Sequence, residues 1–213
     1  MKRTELLLLL AAILFFVTGT AFYPYLPPIL AAHWNTQGQV NGYISRGWGT
    51  FLFPAIFVFI AFLFFLIPRI DPKKENIAKF RKYFDYIVIT IVIFFYYIYL
   101  LSLVWNIGYR FNFVMYLVPA FAVLFYIIGA FLPHIELNWM IGIRTPWTIS
   151  SESVWKKTHE VGSTAFKISA IVMLIGMLFP TYAVWFLGVP LAASAVGLIA
   201  YSYVLYQREQ KGL

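Results

Sequence analysis

The sequence contains no cysteine, and only 11% of its 213 residues are charged against 62% hydrophobic. The missing cysteine excludes disulfides, thiolate metal sites and a cysteine nucleophile, and leaves the redox compartment open. The shortage of charge excludes an ordinary water-soluble domain. Such a chain carries about a quarter charged residues, and this one could not cover a water-facing surface. Lipid is therefore the expected solvent for much of it. A third shortage lies inside the long apolar runs. Their interiors offer Thr18, Thr90, Ser102, Ser169, Ser194 and Ser202, while Glu5, Asp85 and Lys167 sit only at their ends. Hydroxyls of this kind commonly bond back to their own helix. Buried ionisable residues mark most transport pathways, so their absence counts against a transporter.

Six apolar runs are long enough to cross a bilayer, which takes roughly 20 residues of helix. They fall near Glu5–Tyr23, Trp48–Ile67, Tyr86–Trp105, Phe113–Leu132, Lys167–Phe186 and Val189–Tyr206. None alternates apolar and polar residues as a barrel strand would. The first, preceded by Lys2 and Arg3 and followed by Thr18-Gly19-Thr20-Ala21, has the outline of a signal peptide. Its apolar run continues to Phe22, so it is read as the first span. Pro54 and Pro119 are candidate kinks.

The expected fold is all-α: one polytopic membrane domain over residues 1–213 with six transmembrane helices and both termini cytoplasmic. Orientation follows from Lys and Arg, which favour the inside. With the N-terminus inside, fourteen of the sixteen fall there, and only Arg46 and Arg110 fall outside. The net charge of +8 is thus a topology signal. Its partner is the lipid bilayer and its anionic headgroups, with no direct nucleic-acid binding. Asn106–Asn112 and Gly188 are read as tight outer turns. The longer connections are an outer loop (24–47), a basic inner loop (68–85) and an inner motif loop (133–166). Asp71-Pro72 suits a helix start. The Ile77, Phe80 and Phe84 face then makes Asp71–Tyr83 an expected inner-surface helix.

The outer loop has an extended, proline-rich start and turn signals at Asn35, Gly38, Asn41 and Gly42. It is expected to fold back on the interface with His33, Trp34, Tyr43 and Trp48. His33 has no second metal ligand nearby in sequence. In the inner loop, Gly142 and Pro146 interrupt the helix after the fourth span. Ser150 or Ser151 then caps a second amphipathic inner-surface helix, Ser151–Gly162, with Glu152 in its first turn. Trp155, Thr158, His159 and Gly162 share one of its faces. Arg144 could bind a headgroup phosphate, bond helix-terminal carbonyls, or hold Glu136 or Glu152.

Two blocks carry a family resemblance. The outer one is Pro28-x(4)-His33-Trp34-Asn35-x-x-Gly38. The inner one is Asn138-Trp139-x(2)-Gly142-Ile143-Arg144-Thr145-Pro146-Trp147-Thr148-x-Ser150-Ser151-Glu152-x-x-Trp155-x-x-Thr158-His159. Both resemble signatures of the SdpI family, and length, span number and block order agree with it. The resemblance implies a multi-pass plasma-membrane protein that gives immunity to a secreted peptide toxin. It also implies signalling through a cytosolic transcriptional repressor held at the membrane.

The main expectation is therefore an immunity or sensor protein that is not an enzyme and holds no metal or cofactor. Its outer candidates are His33, Trp34, Asn35 and Gly38. Its inner candidates are Asn138, Gly142, Arg144, Thr145, Pro146, Trp147, Ser150, Ser151, Glu152, Trp155, Thr158 and His159. Two alternatives stand beside it. One is a zinc-dependent surface enzyme using His134, Glu136 and His159, for which no H-E-x-x-H pair exists. The other is a small-solute transporter or channel lined by Thr90, Ser102, Asn106 and Ser169.

Overall fold

A computed structural model describes residues 3–212; Met1, Lys2 and Leu213 lie outside the described residues, and with them Lys2 of the N-terminal basic pair. The elements in order are α1 (Arg3–Phe22), β1 (Ile29–Trp34), β2 (Val40–Ser45), α2 (Arg46–Ile70), α3 (Lys74–Lys79), α4 (Arg81–Asn106), α5 (Phe113–Phe131), α6 (Pro146–Ser150), α7 (Glu152–Gly176) and α8 (Ala183–Gln210). Helices dominate because a helix satisfies its backbone internally where no water can. Among the described residues five helical segments are long and apolar enough to cross a membrane: Thr4–Tyr25, α2, α4, Phe113–His134 and Pro180–Gln210. The chain is a multi-pass membrane protein. Pro54 and Pro119 both lie inside continuous helices.

The chain forms two compact units, residues 1–66 with 88–117 and residues 67–87 with 118–213. The first has an aromatic core. Phe15 stacks on Phe57 at 4.3 Å between ring centres and on Tyr99 at 5.5 Å. The Tyr99 hydroxyl donates to Thr50 O at 2.9 Å, and Thr18 meets the Tyr96 hydroxyl at 2.8 Å.

In the second unit α7 and α8 pack antiparallel. Ser151 Oγ donates to Glu209 Oε2 at 2.6 Å, and Ser169 Oγ donates to Pro190 O at 3.3 Å and meets Ser194 Oγ at 3.0 Å. The start of α7 therefore lies level with the end of α8. The expected face of Ile77, Phe80 and Phe84 is buried.

Four expectations change. The all-α reading omits the β1–β2 hairpin, whose two six-residue strands flank an Asn-Thr-Gln-Gly-Gln turn. The Asp71–Tyr83 helix starts later, at Lys74, because the Asp71 carboxylate closes a turn on Lys73 N–H at 2.7 Å instead of capping a helix, and it is interrupted at Phe80 into α3 and the start of α4. The Ser151–Gly162 helix begins as expected but runs on unbroken to Gly176. The turn placed at Gly188 lies at Met177–Tyr182, and Gly188 is inside α8. Pro180 sets it there, since proline has no N–H to continue α7. The fifth expected span, Lys167–Phe186, is thus shortened. α7 is not among the five membrane-length apolar helices, because Glu152, Lys156, Lys157 and Glu160 charge its first half.

Candidate functional site

The outer candidates belong to the hairpin of the first unit. β1 and β2 pair antiparallel, with Ala31 opposite Tyr43 and an irregularity around His33. Asn106, at the end of α4, holds the other edge of β1. Its Oδ1 accepts from Ala31 N–H at 2.8 Å, and its Nδ2 donates to Ala31 O at 3.1 Å. One carboxamide thus acts as a third strand one residue long. Asn35 closes the turn by accepting from Gln37 N–H and Gln39 N–H. Gly38 has φ +78°, and a Cβ there would run into Asn112 Oδ1. His33 Nδ1 lies 2.5 Å from Asn41 Oδ1 in the open.

Trp34 turns inward. Its ring stacks on Phe113 at 3.8 Å and meets Trp105 edge-on at 5.5 Å. Its indole N–H is buried without a partner among the described residues. A cavity of about 370 Å³ lies beside it, walled by the hairpin and by Leu52, Ile98, Ser102 and Leu117.

The inner candidates lock a loop in the second unit. Asn138 is wholly buried and fully bonded. Its Oδ1 accepts from Met140 and Ile141 N–H, and its Nδ2 donates to Glu136 and Ile141 carbonyls. Thr145 caps α6 reciprocally with Thr148 and reaches Ser202 of α8 at 3.0 Å. Pro146 is the first residue of α6, and Ser150 bonds back to its carbonyl. Trp147 packs edge-on against Tyr203. Ser151 caps α7 by accepting from Val154 N–H.

The expected face of α7 is buried against this loop. Trp155 donates its indole N–H to Ile135 O at 2.7 Å. His159 Nε2 accepts from Ile143 N–H at 3.0 Å, so Nδ1 carries the proton and donates to Trp155 O at 2.8 Å. Burial pushes the His159 pKa down to about 4, against the opposing pull of the Trp155 carbonyl. Gly142 has φ +115°, and a Cβ there would sit 2.5 Å from His159 Nε2. Thr158 Oγ1 is buried without a partner among the described residues. Arg144 and Glu152 stay exposed; of the three roles open to it, Arg144 takes carbonyl binding, donating to Trp139 O.

The metal reading finds no support in this geometry. Both His159 nitrogens are committed, and the His134 ring lies flat on Tyr83 at 4.1 Å. Among the described residues no three potential ligands cluster. Two of the residues suggested for a transport path, Asn106 and Ser169, are likewise committed to bonds with other elements.

Several organising roles escaped the sequence reading. Asp71 is only 2% exposed, and its second oxygen accepts from Trp139 N–H at 2.9 Å. Asn76 donates to Leu137 O at 2.8 Å. Asn106, Asn41, Ser202 and Glu209 complete the set. Asp71-Pro72 was a visible turn signal; nothing in the sequence pointed to the others' partners.

Residues 134–204 match the SdpI/YfhL protein family, and residues 9–58 match a domain of unknown function, DUF1648. The chain is also similar to the protein named Immunity protein SdpI of Bacillus subtilis (strain 168), at 21% identity over 173 residues, 81% of either chain. No solved structure matches. The segment similar to the SdpI/YfhL family takes in the inner loop, α7 and most of α8, and so contains every inner candidate. The DUF1648 segment takes in most of α1, the hairpin and the first half of α2, and so contains every outer one.

Proposed function

We propose that this chain is a six-span plasma-membrane immunity protein that protects its host from a secreted, membrane-active peptide toxin. Both termini lie inside. The hairpin is the outer recognition surface, and the locked inner loop is the face offered to a cytosolic regulator. The observation that carries this reading is the similarity to an immunity protein over 81% of the chain, joined to a built, ordered hairpin between the first two spans.

The antiparallel packing of α7 on α8 supports the sixth span. Ser151 and Glu209 are bonded, so the start of α7 and the end of α8 share one membrane face. A chain with α8 across the bilayer and α7 beside it returns its C-terminus to the side of the inner loop. Arg208 and Lys211 then join the other inside cations, as the distribution of positive charge favours.

The experiment is survival of a toxin-sensitive bacterium expressing the chain, challenged with the membrane-active peptide. His33→Ala and Arg144→Ala, matched for membrane abundance, run beside the parent. Protection by the parent that is lost in either variant supports immunity and puts that loop in the mechanism. A well-expressed parent that gives no protection defeats the reading. Full protection by Arg144→Ala removes the inner loop from it.

A further inference from the structure

The two edges of the outer hairpin are unequally covered. Ala31 turns both its N–H and its C=O away from β2, onto Asn106. Ala31 and Tyr43 are therefore a non-hydrogen-bonded pair of the antiparallel ladder. Arg46 N–H bonds Pro28 O at 2.8 Å, which fixes the same alternation from the other end. Leu30 and Ile44 bond each other, and Ile29 and Ser45 do not. It follows that the N–H and C=O of Tyr43 and of Ser45 point outward from β2. Among the described residues the sheet has two strands. The Ser45 carbonyl closes the first turn of α2, which opens at Arg46; the other three groups, Tyr43 N–H and C=O and Ser45 N–H, have no partner among the described residues.

Exposed edges are normally blunted by charge, proline or a covering element. β2 reads Val-Asn-Gly-Tyr-Ile-Ser, with neither charge nor proline. Tyr43 is 68% exposed, and Asn41 and Ser45 are exposed with it. The β1 edge is closed by Asn106 at Ala31, while the β2 edge is left open.

We propose that the outer edge of β2 is a strand-addition site that takes an extended peptide segment, its backbone pairing with Tyr43 and Ser45. A donor and an acceptor at Tyr43, with a second donor about 7 Å further along at Ser45, complement a strand's own backbone, not a headgroup or an ion. Main-chain pairing supplies affinity. The Tyr43 ring supplies a cross-strand contact, and the uncharged edge imposes no sign on the ligand. This rests on the reading of the hairpin as the surface that meets a peptide toxin, and says how the peptide is held.

The test uses the full chain in phospholipid nanodiscs. The probe is a dansyl-labelled Thr-Val-Thr-Val-Thr-Val peptide, with its fully N-methylated analogue as control. The parent should bind the probe and not the analogue, and binding should slow amide exchange at Tyr43 and Ser45. Tyr43→Pro and Ser45→Pro each remove an outward donor and no hairpin bond, and should weaken binding about tenfold. Tyr43→Thr keeps the donor and should stay within about threefold of the parent. Unchanged exchange at Leu30 and Ile44 verifies the hairpin in each variant. A parent that ignores the probe, or proline variants that bind it equally with an intact hairpin, overturns the proposal. So does a peptide-free dimer dissolved by either proline, which would give the edge to a second copy. Loss of probe binding in the proline variants, in a chain that never protects cells, upholds the strand site and defeats immunity instead.

Discussion

Asn106→Ala tests how the outer hairpin is held. Asn106 donates to and accepts from the backbone of Ala31, and both residues are buried. Alanine removes donor and acceptor together and leaves a buried N–H and a buried C=O without partners. Each such group costs about 1–3 kcal/mol, so the hairpin should lose roughly 2–5 kcal/mol, toward the low end where water enters the space left behind. At about 1.4 kcal/mol per decade, exchange of the Ala31 amide should accelerate between roughly thirtyfold and a few thousandfold. Hydrogen exchange on peptides covering residues 29–45 of the full chain in nanodiscs reads this directly. Asn106→Asp should be no milder. It keeps the acceptor for Ala31 N–H but turns carboxylate oxygens onto the Ala31 and Ser102 carbonyls, where Nδ2 now donates. Exchange within about threefold of the parent in both variants would refute the reasoning. The hairpin would then be held by strand pairing and the Trp34 stack alone.

The inner loop yields three further predictions. Gly142→Ala places a Cβ at positive φ against His159 and Trp155 and should cost about 2–4 kcal/mol; an unchanged unfolding midpoint would mean the loop shifts freely. His159 is 1% exposed, and its folded pKa of about 4 lies below the ordinary histidine value. It therefore favours the folded state above pH 6.5, and that contribution should be lost as pH falls from 6.5 to 4, by about 3 kcal/mol in all. Denaturation across that range should show this slope in the parent and lose it in His159→Gln. Thr145→Val removes the acceptor for Thr148 N–H and the link to Ser202. It should cost about 1–2 kcal/mol, with Thr145→Ser recovering most of it.

What could be read from the sequence divides along the range of the interactions. The long apolar runs declare themselves because each is a local property of some twenty residues. The start of α7 at Ser151 and its buried face of Trp155, Thr158, His159 and Gly162 were legible from a cap and a periodicity. The turn of the hairpin was legible at Asn35 and Gly38, but its strands, Ile-Leu-Ala-Ala-His-Trp and Val-Asn-Gly-Tyr-Ile-Ser, lack the clean alternation that declares a strand. Gly188 outweighed Pro180 as the outer turn, although proline is the stricter stop. Asp71 with Trp139, Asn106 with Ala31 and Ser151 with Glu209 are separated by 68, 75 and 58 residues. Nothing local encodes such pairs in a single sequence.

That division bears on how the inner signature is interpreted. Asn138 is consumed in bonds within the loop, and Thr145, Trp155 and His159 in bonds that hold it on α7 and α8, so replacing any of them perturbs folding first. Loss of function there would say little about recognition. Arg144 and Glu152 project outward, and Arg144 makes its bond to a single carbonyl, Trp139 O. A surface arginine of this kind contributes little to stability, within about 0.5 kcal/mol on replacement. Arg144→Ala therefore separates two accounts of the same motif. If the motif only builds the fold, the variant keeps its stability and its function together. If the motif meets a cytosolic partner, the variant keeps its stability and loses its function, while His159→Gln loses both in proportion.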